Sequence, residues 1–349
     1  MSIKILHIAD LHLLNDFNVD INMDINTKMS IQWEVLRRAI KFSNSNGIDL
    51  ILIAGDMLEA KNLSLFYFKR YLEILGSAKA KIIHIFGNHD YFNAIKDVFE
   101  KAEIPKNISF VTTDNLEKII IEEKNICVYA KSWVNDYYGR TEIDANDIDS
   151  GFINILLAHS EVKTGEAYMP IDLEKIYTHF DYIALGHVHK REKILDNAFY
   201  SGSMEPVTID ELGNHGGLFI EVYDKKIDVK NVNFASSFNH RINVDFNDTS
   251  LEELIAKLSN NINHKLFNSL TLVIDGITTG IRKEDIEYSL KDLFKRIKII
   301  DNTRPELIID DYSKNEIKEV ILELVKDNKI DENLTEDIYK KIISRILEG

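Results

Sequence analysis

The chain has 349 residues, enough for one large domain and a smaller one. Hydrophobic residues make up 45% and charged residues 28%, with only four prolines and fifteen glycines, which excludes disordered and fibrous classes. The net charge of −15 argues against a protein that grips nucleic acid through a basic surface.

Residues 3–10 read as a strand ending in Asp10, and residues 15–27, rich in Asn and Asp, as a loop. A helix is predicted from Ser30 to about Asn44, with Ile31, Val35, Leu36 and Ile40 on one face, and Asn46-Gly47 ends it. Leu50–Ala54 is a short apolar run that stops at Gly55-Asp56. A second helix is expected over Leu65–Leu75, then a strand over Lys81–Phe86 that stops at Gly87-Asn88-His89-Asp90. Further strands are expected at Ile119–Ile121, Ile126–Ala130, Ile153–Ala158 (stopping at His159) and Tyr182–Leu185 (stopping at Gly186-His187). Five apolar runs thus end in Asp, Asn or His, the way α/β enzymes set chemistry on loops at the ends of a rigid sheet. Runs apolar on both faces suit a buried sheet or sandwich core. From Asn197 to Phe234 the pattern is strand–turn–strand, with Gly202, Gly213, Gly216 and Gly217 marking turns.

The texture changes at Ala235-Ser236-Ser237. After it come a strand (Arg241–Phe246), a helix (Ser250–Leu258), a strand (Leu270–Ile274), a helix (Arg282–Phe294) and a strand (Ile297–Ile300), a small α+β domain of about sixty residues. Two C-terminal helical segments follow Arg304-Pro305, at about Lys314–Asp327 and Thr335–Leu347, each with an apolar stripe. The expected domains are 1–235, 236–304 and 305–349. The one cysteine, Cys127, sits in a strand and reads as a buried structural thiol, which fits a reducing cytoplasm. His7, Asp10 and His12 interrupt the N-terminal apolar run, so it reads as no signal peptide, and no apolar segment is long enough to span a bilayer.

The strand-end residues Asp10, His12, Asp56, Asn88, His89, His159, His187 and His189 are all oxygen or nitrogen donors. Such a set suits Mn²⁺, Fe²⁺ or Zn²⁺. In an extended backbone residues i and i+2 share a side, so Asp10 with His12, and His187 with His189, can each reach one metal cluster. Separate strand-end polar residues are the alternative, but five of the eleven histidines fall at these junctions.

Taken in order, Asp10-Leu11-His12, Gly55-Asp56, Gly87-Asn88-His89-Asp90, His159 and Gly186-His187-Val188-His189 resemble the motifs of the calcineurin-like metallophosphoesterases, over about residues 1–235. The resemblance implies an α/β/β/α two-sheet sandwich with two divalent metal ions at the strand ends. It gives Asp10, His12, Asp56 and His189 to one ion. It gives Asn88, His159 and His187 to the other, with Asp56 bridging. Hydrolysis of a phosphate ester by a metal-activated water follows. By the same resemblance His89 protonates the leaving oxygen or stabilises the transition state, and Asp90 orients His89, with a local turn cap as the alternative for Asp90.

The stretches Tyr200-Ser201-Gly202-Ser203-Met204-Glu205-Pro206 and Asp210–Gly217 resemble the segment after the last metal motif in SbcD-type DNA-repair nuclease subunits and their Bacillus-type relatives. So do Trp33-Glu34-Val35-Leu36 and the small domain after the core. That likeness implies a Mn²⁺-dependent DNA exonuclease and endonuclease, working with an SbcC-type, SMC-like ATPase that docks on C-terminal helices; Lys314–Leu347 is the candidate for that role, with packing on its own chain as the alternative. Homodimerisation is left open. Leu14, where many SbcD proteins have Gly, and Met57-Leu58-Glu59 depart from that subgroup. Lys190 and Arg191 are read either as substrate contacts or as a solvated turn. Two other readings compete: a small-substrate phosphodiesterase or phosphatase of the same superfamily, which the acidic charge favours, and a scaffold that has lost activity, against which the complete donor set argues.

Overall fold

The apolar runs become strands that are buried on both faces. β1 (Ile3–Ile8) is followed by α1 (Ile25–Asn46), β2 (Leu50–Ala54), α2 (Leu65–Gly76), β3 (Lys81–Ile85), α3 (Phe92–Phe99), β4 (Ile108–Phe110) and β5 (Glu117–Ile121). Then come β6 (Ile126–Lys131), β7 (Ile153–His159), α4 (Leu173–Ile176), β8 (Tyr182–Gly186), β9 (Glu192–Leu195), β10 (Ala198–Tyr200), β11 (Gly216–Tyr223) and β12 (Lys226–Asn233). The computed structural model describes residues 2–15, 25–145, 148–162, 168–223, 226–246, 249–276 and 282–303, with the single positions 319 and 341. The expected C-terminal helices at 314–327 and 335–347 therefore lie, apart from those two positions, outside the described residues.

Two six-stranded sheets result, in the orders β12-β11-β1-β2-β3-β4 and β5-β6-β7-β8-β10-β9. β1 through β4 run parallel, as do β6, β7, β8 and β10, while the outer strands β5, β9, β11 and β12 pair antiparallel. The period of two explains how each strand serves two layers. In β2, Leu50, Leu52 and Ala54 pack against Val128, Leu157 and Ala184 of the other sheet. Ile51 and Ile53, pointing the other way, pack with Trp33, Val35 and Leu36 of α1 and Phe68 and Tyr71 of α2. On the far side Cys127, Leu156 and Leu185 pack with Leu173 and Ile176 of α4 and with Phe180. Each such Val, Leu, Ile or Phe side chain contributes about 1.5–3 kcal/mol on burial. The architecture is the α/β/β/α sandwich that the resemblance implies.

Some bounds differ from the sequence expectation. α1 begins at Ile25 instead of Ser30, because Met29 continues its apolar face onto the core. α3, β4 and β9 are additions. The helix expected to reach Phe294 stops at Leu290.

The chain divides into two compact units. The first is 1–240 with 263–270 and 293–296; the second is 241–262, 271–292 and 297–349. Beyond β12 lie β13 (Ser237–Asp245), α5 (Leu251–Asn261), β14 (Phe267–Asp275), α6 (Lys283–Leu290) and β15 (Arg296–Asp301), the strands forming a sheet in the order β13-β14-β15. α5 starts with a capping box, Ser250 accepting from the Glu253 N–H and Glu253 from the Ser250 N–H. Among the described residues no helix is long and apolar enough to cross a membrane.

Candidate metal centre

The site sits where β1, β2, β3, β7 and β8 end. Its backbone is bent hard there: Asp10, His12, Asp56 and His187 all have positive φ, at 54°, 49°, 51° and 100°. Non-glycine residues in this region are strained, and such strain gathers at functional sites. Glycine clears the centre. A Cβ on Gly87 would lie 2.2 Å from Asp56 Oδ1, and one on Gly186 would lie 2.0 Å from the Ala54 carbonyl and 2.8 Å from His159 Nδ1.

All seven residues expected as metal ligands come together. On one side His12 Nε2 lies 3.0 Å from His189 Nε2 and 3.9 Å from Asp56 Oδ2. On the other His159 Nε2 lies 3.0 Å from Asn88 Oδ1 and 3.3 Å from Asp56 Oδ2, and His187 Nδ1 lies 3.3 Å from the same Asn88 oxygen. The Asp56 carboxylate thus stands between both sets. Asp10 joins the first with His12 and His189, and it joins Asp56 and His159 in a second close group. Its carboxylate also accepts the backbone N–H of His187.

The donor chemistry fits cations. His159 Nδ1 is 2.8 Å from the Ala54 carbonyl, so that nitrogen carries a proton and donates it. In the neutral ring Nε2 then presents a lone pair to the Asn88 and Asp56 oxygens. His12 Nδ1 faces Glu59 at 2.9 Å and His189 Nδ1 faces Glu211 at 3.0 Å, which turns both Nε2 lone pairs toward each other. Lone pairs 3 Å apart repel unless a proton or a metal sits between them. Two donors at right angles on an ion about 2.1 Å away are about 3.0 Å apart, close to these separations.

Without a metal, protons balance the buried carboxylates. Burial opposes charge on His159, yet Asp56 beside it lifts its pKa to about 9. His189, also opposed by burial, is lifted to about 9 by its hydrogen bond to Glu211. His187 is pushed down to about 3 by burial and then by the charge on His159. Burial raises Asp10; it would also raise Asp56, but His159 holds Asp56 well below the usual carboxylate range.

His89 lies one residue past Asn88, with a third of its side chain open to solvent. Its ring stands edge-on to His12 at 4.7 Å, and with His12 and Asp56 it forms a third close group of donors. A cleft of about 360 Å³ opens beside it, lined by Glu59, Lys61, Asn88 and Tyr91 among others. The orienting task expected of Asp90 falls to Glu59, whose carboxylate is 3.2 Å from His89 Nδ1 and raises the pKa of that ring. Asp90 serves the backbone, as the turn-cap alternative has it. Its two oxygens accept the N–H groups of Asp56, Met57, Leu58 and Gly87, stitching the loop after β2 to the loop after β3. Burial and the Asp56 charge push its pKa up against the pull of the Gly87 and Leu58 donors.

Glu59 and Glu211 are not singled out by the sequence reading. The signals were a carboxylate three residues after Asp56 and another inside the Asp210–Gly217 stretch.

The sequence profile of the calcineurin-like phosphoesterases matches residues 3–191. The chain belongs to the calcineurin-like phosphoesterase family. This phosphoesterase is similar to the uncharacterized metallophosphoesterase YhaO of Bacillus subtilis, 27% identical over 241 residues, which is 62% of this chain and 57% of that protein. It is similar to the DNA double-strand break repair protein Mre11 of Sulfolobus acidocaldarius, 22% identical over 395 aligned positions, covering 97% of this chain and 98% of that one. It is also similar to the Mre11 of Methanococcus maripaludis, 29% identical over 282 residues, covering 74% of this chain and 64% of that one. A solved dimetal phosphatase from Danio rerio superposes with a TM-score of 0.41 at 11% identity, over 66% of this chain and 96% of the other. The phosphoesterase is a metal-dependent enzyme. Two divalent ions held by these residues would polarise a phosphate and activate a water at neutral pH.

Proposed function

We propose that this phosphoesterase is a DNA nuclease, the Mn²⁺-dependent exonuclease and endonuclease subunit of an SbcCD-like repair complex in the cytoplasm. The observation that carries the substrate class is the alignment with a DNA double-strand break repair protein over 97% of the chain, residues beyond the sandwich included. The site supports the reaction class. Asp10, His12, Asp56 and His189 would hold one ion, and Asn88, His159 and His187 the other, with Asp56 placed to serve both. The scissile phosphate would be polarised by the ions that both sets hold. His89, with Nδ1 turned to Glu59, gives a proton through Nε2 to the leaving oxygen on the side of the cleft. An SMC-like ATPase supplies much of the grip on DNA that a chain of net charge −15 lacks.

That charge favours the second reading, a phosphodiesterase or phosphatase for small substrates. One assay separates them: end-labelled linear DNA and bis-p-nitrophenyl phosphate, each with Mn²⁺, using wild type and His89→Ala. A nuclease degrades the DNA, and His89→Ala loses about 10²–10⁴-fold on DNA but much less on the nitrophenyl ester, whose leaving group needs little protonation. Turnover of the small diester with no DNA cleavage, alone or with the ATPase partner added, sinks the nuclease reading and leaves the metal chemistry standing.

A further inference from the structure

Residues 202–215 lie outside the expected donor set, yet they wrap one member of it. The wrapping has two independent grips. The first is on the backbone of His189: the Ser203 N–H donates to the His189 carbonyl at 2.9 Å. Gly202 makes that approach possible. Its φ is +71°, and a Cβ there would lie 2.8 Å from the His189 carbonyl oxygen and 2.7 Å from the Arg191 nitrogen. No other residue type fits so close to that strand exit.

The second grip is on the ring. Glu211 Oε1 lies 3.0 Å from His189 Nδ1. The carboxylate is itself held from several directions. Ser203 Oγ donates to Oε2 at 3.1 Å, and the backbone N–H groups of Val207 and Thr208 donate at 3.1 and 3.2 Å. His215 Nδ1 then donates to Ser203 Oγ at 2.8 Å. From outside the loop the Asn239 side-chain amide donates to the carbonyls of Thr208 and Glu211, at 2.8 and 3.0 Å. A carboxylate fixed by this many donors cannot follow the imidazole; the imidazole must follow it. His12 is held differently, by Glu59, and His159 by a backbone carbonyl.

We propose that residues 202–215 form a clamp that presents His189 to its metal ion, with Glu211 as the positioning carboxylate. The clamp acts on the ion shared with Asp10 and His12 and not on the one held by Asn88, His159 and His187. It also accounts for the Gly-Ser and Glu-x-Gly-x-His-Gly pattern in this stretch, since Gly202, Ser203, Glu211 and His215 each take part in the grip. The inference rests on the two-metal reading of the site.

The test is a calorimetric titration of the metal-stripped full chain with Mn²⁺, for wild type, Glu211→Gln and Ser203→Ala, with steady-state kinetics on bis-p-nitrophenyl phosphate. Wild type is expected to bind two ions. Glu211→Gln should weaken one binding event about 10–100-fold and leave the other unchanged. Its activity should fall at limiting Mn²⁺ and recover at saturating Mn²⁺, with KM for the diester unaltered. Ser203→Ala, which removes one donor to Glu211, should weaken the same event about 2–10-fold; it decides the matter if Glu211→Gln does not fold. Unchanged affinities in a folded variant overturn the clamp, and so does an equal loss at both ions. A wild type that binds no metal overturns the two-metal reading itself.

Discussion

At Asp56 one carboxylate serves two sets of donors, and its surroundings leave it no room to move. Oδ1 accepts the His89 N–H at 2.8 Å while Oδ2 faces His12 and His159. Gly87 stands so close that adding one methyl group forces the carboxylate aside. Gly87→Ala is therefore expected to cost about 1–3 kcal/mol of stability and to weaken metal binding about tenfold or more. Calorimetry beside thermal unfolding checks this, and wild-type affinity in Gly87→Ala would show that Asp56 is not the shared ligand. Protons offer a second test at this scale. With pKa values lifted to about 9, His159 and His189 are protonated in the metal-free protein at pH 7.5. A metal needs their neutral rings, so filling the site should release about two protons, and affinity should fall as pH drops. Titrations in buffers of differing ionisation enthalpy count those protons; release of none would contradict the donor assignment.

Among the elements, β1 and β3 each bury a histidine that has no part in the metal centre. His7 Nδ1 meets the Tyr182 hydroxyl at 3.0 Å, a polar link between the two sheets. His84 donates from Nδ1 to the Ile85 carbonyl and accepts from the Tyr71 hydroxyl at Nε2. Burial pushes both down to about 3. Between that value and the ordinary 6.5 the unfolded chain binds more protons than the folded one, so stability rises with pH across this window. The contribution is complete above 6.5 and is lost as pH falls toward 3. His84→Phe should flatten that fall in urea midpoints measured from pH 7 to 4; a variant curve parallel to wild type would contradict the assignment.

These strands were legible in the sequence because each is a short apolar run with a polar stop, buried on both faces. Leu50–Ala54 before Gly55-Asp56 is the clearest. The donors at the strand ends were legible because their spacing is local. Their supports were not. Glu59 lies 47 residues from His12 and Glu211 22 from His189, and an isolated glutamate looks like a solvated one until the chain closes. Asp90 misled for the same reason, since its true partners include backbone groups 32–34 residues away. β4, at three residues, was too short to show a period.

For the whole molecule the question is how an acidic chain captures a phosphate ester. Two dications would exceed the charges of the ligand carboxylates Asp10 and Asp56 by about +2 where a phosphate meets the ions, with Glu59 and Glu211 set back behind His12 and His189, a local field opposed to the net −15. That inversion exists only with metal bound, so catalysis and metal occupancy should rise and fall together. The most direct measurement is hydrolysis of bis-p-nitrophenyl phosphate by protein stripped with chelator and then titrated with Mn²⁺, for wild type and Asp56→Asn. The stripped wild type should be inactive and regain full turnover as the ions bind, while Asp56→Asn, which removes the shared carboxylate, should stay inactive at the same Mn²⁺. Full turnover by the stripped protein, or wild-type turnover by Asp56→Asn, would contradict a two-metal phosphoesterase centred on Asp56.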